Sequence, residues 1–171
     1  MNVIELLRQQ FKDAHESLEA TMADVTEEVA NFRQTKKAMP VGAAYAHAIL
    51  SEDMILSTML AHKDPIVTDK IAGLSEPMPD MEHWDQNERW YTTVTVDVAK
   101  MKALAQKVYQ ATDDYLAALD EEAIEEEIDI PGMGKKPRGY IINNFLLLHV
   151  AHLTGEISAA KGFQGKKGYP W

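Results

Sequence analysis

The sequence predicts an all-α protein that folds as a four-helix bundle, with a long crossover between the second and third helices. Four stretches of bundle length carry apolar residues at helical spacing, and the last is apolar around most of its circumference. No internal repeat, P-loop or GxGxxG motif suggests another architecture. The length of 171 residues and the apolar content of 46% suit a single domain, residues 1–171, with one sizeable core.

The first helix is predicted to begin at the N-terminus, where Asn2 can cap it. His15 lies beside its apolar stripe and has two possible roles: a boundary residue with one ring nitrogen in water, or a residue on the rim of a site. Thr26 is expected to start a short helical turn, and residues 31–39 to be irregular. The stripe consists of Ile4, Leu7, Phe11, Ala14, Leu18 and Met22.

The second helix is predicted to follow Pro40, because proline fits the first turn of a helix, where its missing N–H costs nothing. It runs through VGAAYAHAILSEDMILSTMLA. His47 lies in it among small residues, which leave room around an imidazole. Several prolines and a glycine interrupt residues 62–90, which predicts a loop with short helical pieces near 66–71 and 81–91.

Three aromatic residues of this crossover, Trp84, Trp90 and Tyr91, are expected to cover one end of the bundle, either as satellite core or as a substrate lid. Thr93 or Thr95 can cap the third helix, whose buried stripe begins at Val98. The acidic run 120–127 is interpreted as a solvated connector. Residues 126–139 are predicted to form two short extended pieces around a turn.

The fourth helix is predicted over residues 141–161, where Asp, Glu, Lys and Arg are absent up to Thr154. This uncharged run falls short of the ~18–20 residues of a membrane span, and His149 and His152 interrupt it. Gly162 is expected to end the helix in a left-handed conformation.

Composition excludes several classes of function. A net charge of −10 argues against binding nucleic acid or an anionic membrane. Because the chain has no Cys, disulfides, thiolate metal sites and cysteine nucleophiles are impossible. The N-terminus lacks the pattern of a secretion signal, so a cytoplasmic location is expected. A homodimer is the default expectation for such a bundle.

Histidines on facing helices can converge in the core of a bundle. His47 belongs to the second helix, and His149 and His152 to the fourth, where they lie about 60° apart on a helical wheel. Three neutral imidazoles suit Zn, Ni or a similar divalent metal and leave a position for water or substrate. Glu156 lies on the same face and could orient an imidazole, act as a base or bind metal. Alternatively, these are core histidines bonded to hydroxyls or backbone carbonyls.

The segment LLLHVAHLTGEISAAKGFQGKKGYPW resembles the fourth helix and tail of the DinB/YfiT-like superfamily, in which a His-x-x-x-His pair precedes Gly-Glu or Gly-Gln. The segment AHAILSEDMIL is similar to the family's His-x-x-x-x-Glu-Asp segment, and the likeness extends along essentially the whole chain. The resemblance implies a four-helix bundle that holds a divalent metal through three histidines. It also implies relatives that are metal-dependent hydrolases, or transferases and isomerases that use a small thiol.

Under this resemblance His47 matches the first ligand and His149 the second, whereas the third position is Leu153, which cannot bind a metal. Three outcomes stay open. His152 completes the site in altered geometry; His47 and His149 bind metal weakly with Glu156, water or another carboxylate; or the site is lost. The chain is therefore either an enzyme that acts on a small-molecule substrate or thiol, or a non-catalytic ligand-binding or interaction module.

Overall fold

The computed structural model describes residues 1–68, 72–79, 83, 86–130 and 132–171. Two of its four long helical rods contain a π-helical segment. In chain order the elements are α1 (Val3–Thr21), α2 (Glu27–Asn31), α3 (Val41–Met54) continued by π-helical Ile55–Leu60, α4 (Asn87–Thr93), α5 (Val98–Ala117), α6 (Glu121–Glu125), β1 (Glu127–Ile130), β2 (Gly134–Pro137), and α7 (Arg138–Ile141) continued by π-helical Ile142–Leu147 and then by α8 (Leu148–Phe163).

The four long rods are α1, α3 with its π-helical end, α5, and the continuous helix from α7 through its π-helical segment to α8. They confirm the predicted bundle, with the long crossover between α3 and α5. The core divides into two clusters along the bundle. The larger one joins α3 and α8 with parts of α1, α2, α4 and α5, and the smaller one surrounds the two π-helical segments. The small hairpin pairs Glu127 with Pro137 and Ile130 with Gly134 in antiparallel register. It confirms the two short extended pieces that the sequence predicted in residues 126–139. No helix of the described chain is long and apolar enough to cross a membrane.

Local capping signals explain where several helices begin. The Asn2 side chain accepts a hydrogen bond from the Glu5 backbone N–H at 2.9 Å, and the Glu5 carboxylate accepts one from the Asn2 N–H at 3.0 Å. This reciprocal capping box satisfies two N–H groups that the first helical turn leaves unpaired. Thr26 caps α2, and Pro40 immediately precedes α3, as the sequence predicted.

Two predicted helix ends are wrong. The cap of α5 is Asp97, whose carboxylate accepts from the Lys100 N–H at 3.0 Å, because residue 96 is still extended and forms a β-bridge with Leu74. Gly162 lies inside α8, and the chain reaches the left-handed region only at Gly165, where φ is 71°. The helix therefore continues to Phe163 before the glycine-rich tail turns away.

The crossover is tied to the bundle by buried polar groups. The Asp53 carboxylate, buried near the end of α3, accepts from the backbone N–H groups of Ile66 at 3.0 Å and Val67 at 2.8 Å. Trp90 is buried, and its indole N–H donates to the Glu76 carbonyl at 3.2 Å. Trp84 lies outside the described residues, as do 69–71 and most of 80–85, where parts of the predicted helical pieces fall.

Lys161 fastens the end of α8 to the end of α1. It is only 2% exposed, and its ammonium donates to the Thr21 carbonyl at 2.6 Å and to the Asp24 carboxylate at 2.5 Å. The same bond lowers the pKa of Asp24 below its ordinary value. Lys161→Met keeps the apolar stem but leaves the buried Thr21 carbonyl unpaired, so we expect a loss of about 1–3 kcal/mol in the free energy of unfolding.

This expectation is measured by urea unfolding. Lys166→Met, at an exposed position of the tail, is the matched control and should leave stability within about 0.5 kcal/mol of the parent. Equal stability of the Lys161 variant and the parent would contradict the assigned bond.

Candidate functional site: a histidine pair between the second and fourth rods

His47 is held inside the most buried rod of the bundle. Almost the entire circumference of α3 is buried, which its run of alanines permits because small side chains let neighbouring helices approach closely. His47 is 3% exposed. Its Nδ1 lies 3.2 Å from the Ser51 hydroxyl, one turn further along α3, and its Nε2 lies 3.3 Å from the Tyr91 hydroxyl of α4. A neutral imidazole can serve both, with one nitrogen donating and the other accepting.

His149 of α8 faces His47 across the helix interface. The two ring centroids are 4.9 Å apart and the ring planes are nearly perpendicular, at 81°. His149 is partly buried, and its ring nitrogens make no hydrogen bond with the described part of the chain. The structure thus brings together two of the three histidines that the sequence singled out.

Both imidazoles are held neutral by their surroundings. Burial lowers the pKa of His47 to about 3, with a further contribution from His149. Burial also lowers the pKa of His149, and His152 adds to this effect while the Glu52 carboxylate opposes it. Desolvation disfavours the charged imidazolium, so the pair offers nitrogen lone pairs rather than positive charge near neutral pH.

The lowered pKa of His47 makes a pH dependence of stability testable. Between pH 6.5 and about 3 the unfolded chain binds a proton at this position that the folded protein does not, so stability falls as the pH falls. The slope contributed by one such group is at most about 1.4 kcal/mol per pH unit. We expect the fall between pH 6.5 and 4.5 to be smaller in His47→Asn, as measured by urea unfolding at several pH values.

The control is His62→Asn, which removes an exposed histidine at a positive φ of 51° that asparagine tolerates. This variant should keep the slope of the parent. An unchanged slope in His47→Asn would mean that His47 is not the neutral buried group described above.

The remaining candidates on α8 differ in placement. The side chains of His152 and Glu156 are exposed. Glu156 is close enough to Tyr91 to help raise the pKa of that phenol, although burial is the larger cause. Leu153 is 3% exposed and packs in the larger core cluster. The position that the resemblance assigns to a third ligand is therefore filled by an apolar side chain that faces the core.

These donors can be compared with the three-histidine centre that the resemblance implies. Two neutral imidazoles meet, but the third position carries Leu153, and the nitrogens of His47 already lie against two hydroxyls. No group of three or more His, Cys, Asp or Glu side chains in the described chain is arranged to hold a metal ion. The residues present supply two of the three histidine ligands of such a centre and do not complete it.

A second buried polar cluster lies beside the pair, and the sequence pattern did not predict it. Glu52 is 1% exposed; it accepts from the Thr112 hydroxyl at 2.5 Å, and its other oxygen lies 3.0 Å from Nε2 of His15. Tyr45 and Tyr109 both donate to one oxygen of Glu19, at 2.7 and 2.8 Å. Burial and Glu19 together raise the pKa of both phenols. An acidic residue inside an almost wholly apolar rod was the available signal for Glu52.

The fold and the site together define a four-helix-bundle protein with a histidine pair between its second and fourth long helices. The chain belongs to the DinB superfamily, whose family model matches residues 10–157. Its fold is similar to that of a solved protein from Enterococcus faecalis, described as the conserved protein of locus, with a TM-score of 0.82 and 23% identity. The match covers 97% of this chain and 99% of the other. No curated protein matches the chain significantly.

Proposed function

We propose that the protein is a non-catalytic, small-ligand-binding member of the DinB superfamily in which the metal centre has degenerated. The observation that carries this proposal is the burial of Leu153 in the core at the position of the third ligand. Leucine offers no lone pair, and the two hydroxyls beside His47 supply the hydrogen bonds that a buried imidazole otherwise lacks.

We infer the chemistry of such a ligand from the hydrogen-bonding capacity of His149. His149 is partly buried and carries two ring nitrogens that no described residue bonds, so it is the member of the pair that can contact a ligand. A neutral imidazole donates one hydrogen bond and accepts another. The ligand is therefore an uncharged polar molecule, such as an alcohol or an amide.

The experiment is a metal analysis of protein purified without a polyhistidine tag, followed by calorimetric titration with Zn²⁺ and Ni²⁺. We expect far less than one metal ion per chain, and a metal content that His47→Ala leaves unchanged. One tightly bound ion per chain, lost in His47→Ala and retained in His62→Ala, would overturn the proposal.

That contrary result would support a second candidate function, which the 4.9 Å approach of two neutral imidazoles favours. In it, His47 and His149 bind a divalent metal with Glu156 as a carboxylate ligand, and the protein is a metal-dependent hydrolase or thiol-dependent transferase. Glu156→Gln then lowers metal affinity, whereas under the first proposal it does not.

A further inference from the structure

A groove of about 470 Å³ runs between α1 and α5, outside the histidine pair. Three aromatic rings line its floor: Phe11, His15 and Tyr109. Charged and amide side chains of both helices form its rim. Its volume is within the range of about 300–1,000 Å³ that is typical of small-molecule sites.

His15 is the polar group at this floor whose hydrogen bonding is incomplete. It is 7% exposed, with Nε2 bonded to the buried carboxylate of Glu52 and its ring stacked on Tyr109 at a centroid distance of 3.8 Å. Thr112 fixes Glu52 from the other side. These contacts fix the orientation of the ring, while Nδ1 makes no hydrogen bond with any residue that the structure describes. A fixed ring with one unused nitrogen in a groove is a preformed hydrogen-bonding group.

The rim carries charges of both signs. The Arg8 guanidinium makes two hydrogen bonds to Asp113, at 2.7 and 2.8 Å, which join α1 to α5 on the rim of the groove. Nearer to His15, the Lys12 ammonium lies 3.9 Å from the Glu16 carboxylate, and both side chains are about two-thirds exposed, at 66% and 67%. Such an exposed pair is weak, so each partner can exchange its contact for a ligand.

These charges select against ligands that carry a single sign. The net charge of −10 and the acidic rim residues oppose an anion, whereas a lone cation that paired with Glu16 would displace Lys12 from its carboxylate partner. A wholly apolar ligand would contact the aromatic floor but leave the rim charges and Nδ1 of His15 unused. A zwitterion satisfies both signs at once.

We propose that the α1–α5 groove binds a small zwitterion of the α-amino-acid class. Its carboxylate pairs with Lys12, its ammonium lies between Glu16 and Nδ1 of His15, and an apolar side chain packs on Phe11 and Tyr109. This site is independent of the histidine pair, so its test does not depend on the function proposed above.

The test is calorimetric titration of the full chain with three related probes: L-leucine, its methyl ester and N-acetyl-L-leucine. The ester lacks the negative charge and the acetyl derivative lacks the positive one. We expect L-leucine to bind at least about tenfold more tightly than either derivative. In Lys12→Met the preference over the ester should disappear, and in Glu16→Gln the preference over the acetyl derivative should disappear.

Two exposed positions remote from the groove, Lys36→Met and Glu28→Gln, are the matched controls and should keep both preferences. L-leucine should also shift the NMR signals of the His15 ring. The proposal is wrong if L-leucine and L-phenylalanine both fail to bind at millimolar concentrations, if the three probes bind alike, or if the control variants lose affinity as the groove variants do.

Discussion

Replacing Leu153 by histidine is expected to raise the affinity of the protein for Zn²⁺ or Ni²⁺ by about 100-fold or more. The reason is that two neutral imidazoles, His47 and His149, already meet at 4.9 Å, and position 153 lies on the same rod as His149. A third imidazole supplies the donor that the described site lacks, and the metal replaces the hydroxyls as the partner of His47. The measurement is competitive titration against a chelator of known affinity.

Leu148→His is the matched control, because Leu148 is exposed on the same helix and precedes His149 by one residue, about 100° around the axis. This variant should change metal affinity by no more than a few-fold. A buried histidine at 153 also lowers stability, so the thermal midpoint is followed with and without metal. Added metal should raise the thermal midpoint of Leu153→His back towards that of the parent, since a ligand that binds only the folded state stabilises that state.

A folded Leu153→His variant could bind metal no better than Leu148→His. That result would show that His47, His149 and a third side chain on α8 cannot coordinate one metal ion together. The interpretation of this chain as a degenerate member of the DinB superfamily would then be wrong.

Replacing Glu52 by alanine is expected to cost about 2–5 kcal/mol in the free energy of unfolding. The carboxylate is 1% exposed and connects three rods, because His15 of α1 and Thr112 of α5 both bond to it from opposite sides. Alanine would leave an imidazole and a hydroxyl in the interior without their partner, and would also create a cavity. The measurement is urea unfolding, with the slope checked for two-state behaviour.

Glu52→Gln separates the hydrogen bonds from the charge. Glutamine can accept from Thr112 and donate to His15 if the ring changes its tautomer, so it should recover at least about half of the loss. Glu121→Ala, at an exposed position of α6, should stay within about 0.5 kcal/mol of the parent. A loss below about 1 kcal/mol in Glu52→Ala would mean that the cluster contributes little to stability.

The sequence predicted the bundle well because its signals are local. The stripe on α1, the Asn2 cap, Pro40 before α3 and the uncharged run of the last rod each depend on residues a few positions apart. The cap of α5 was predicted wrongly because Thr93 and Thr95 are also preferred capping residues, although Asp97 is a better one. Only the bridge between Leu74 and Val96, which joins distant residues, delays the helix.

The site was predictable in part for the same reason. His47 and His149 stood out as histidines in apolar helices. Whether their nitrogens meet hydroxyls depends on Tyr91, which is 44 residues from His47, and spacing along one helix cannot reveal that contact. Glu52 stands out as an acidic residue in an apolar rod, but its cluster was missed because its partner His15 looks ordinary within α1 and lies 37 residues away.

The π-helical segment Ile142–Leu147 has a consequence for how this rod can vary in length. It lies in the smaller core cluster and directly precedes the helix that carries His149. A π turn holds one residue more than an α turn, so deleting one residue there can be absorbed by reverting to α geometry. The same side chains of α8 would then still face α3. The hairpin end of the rod can thus lose a residue while the imidazole of His149 stays opposite that of His47.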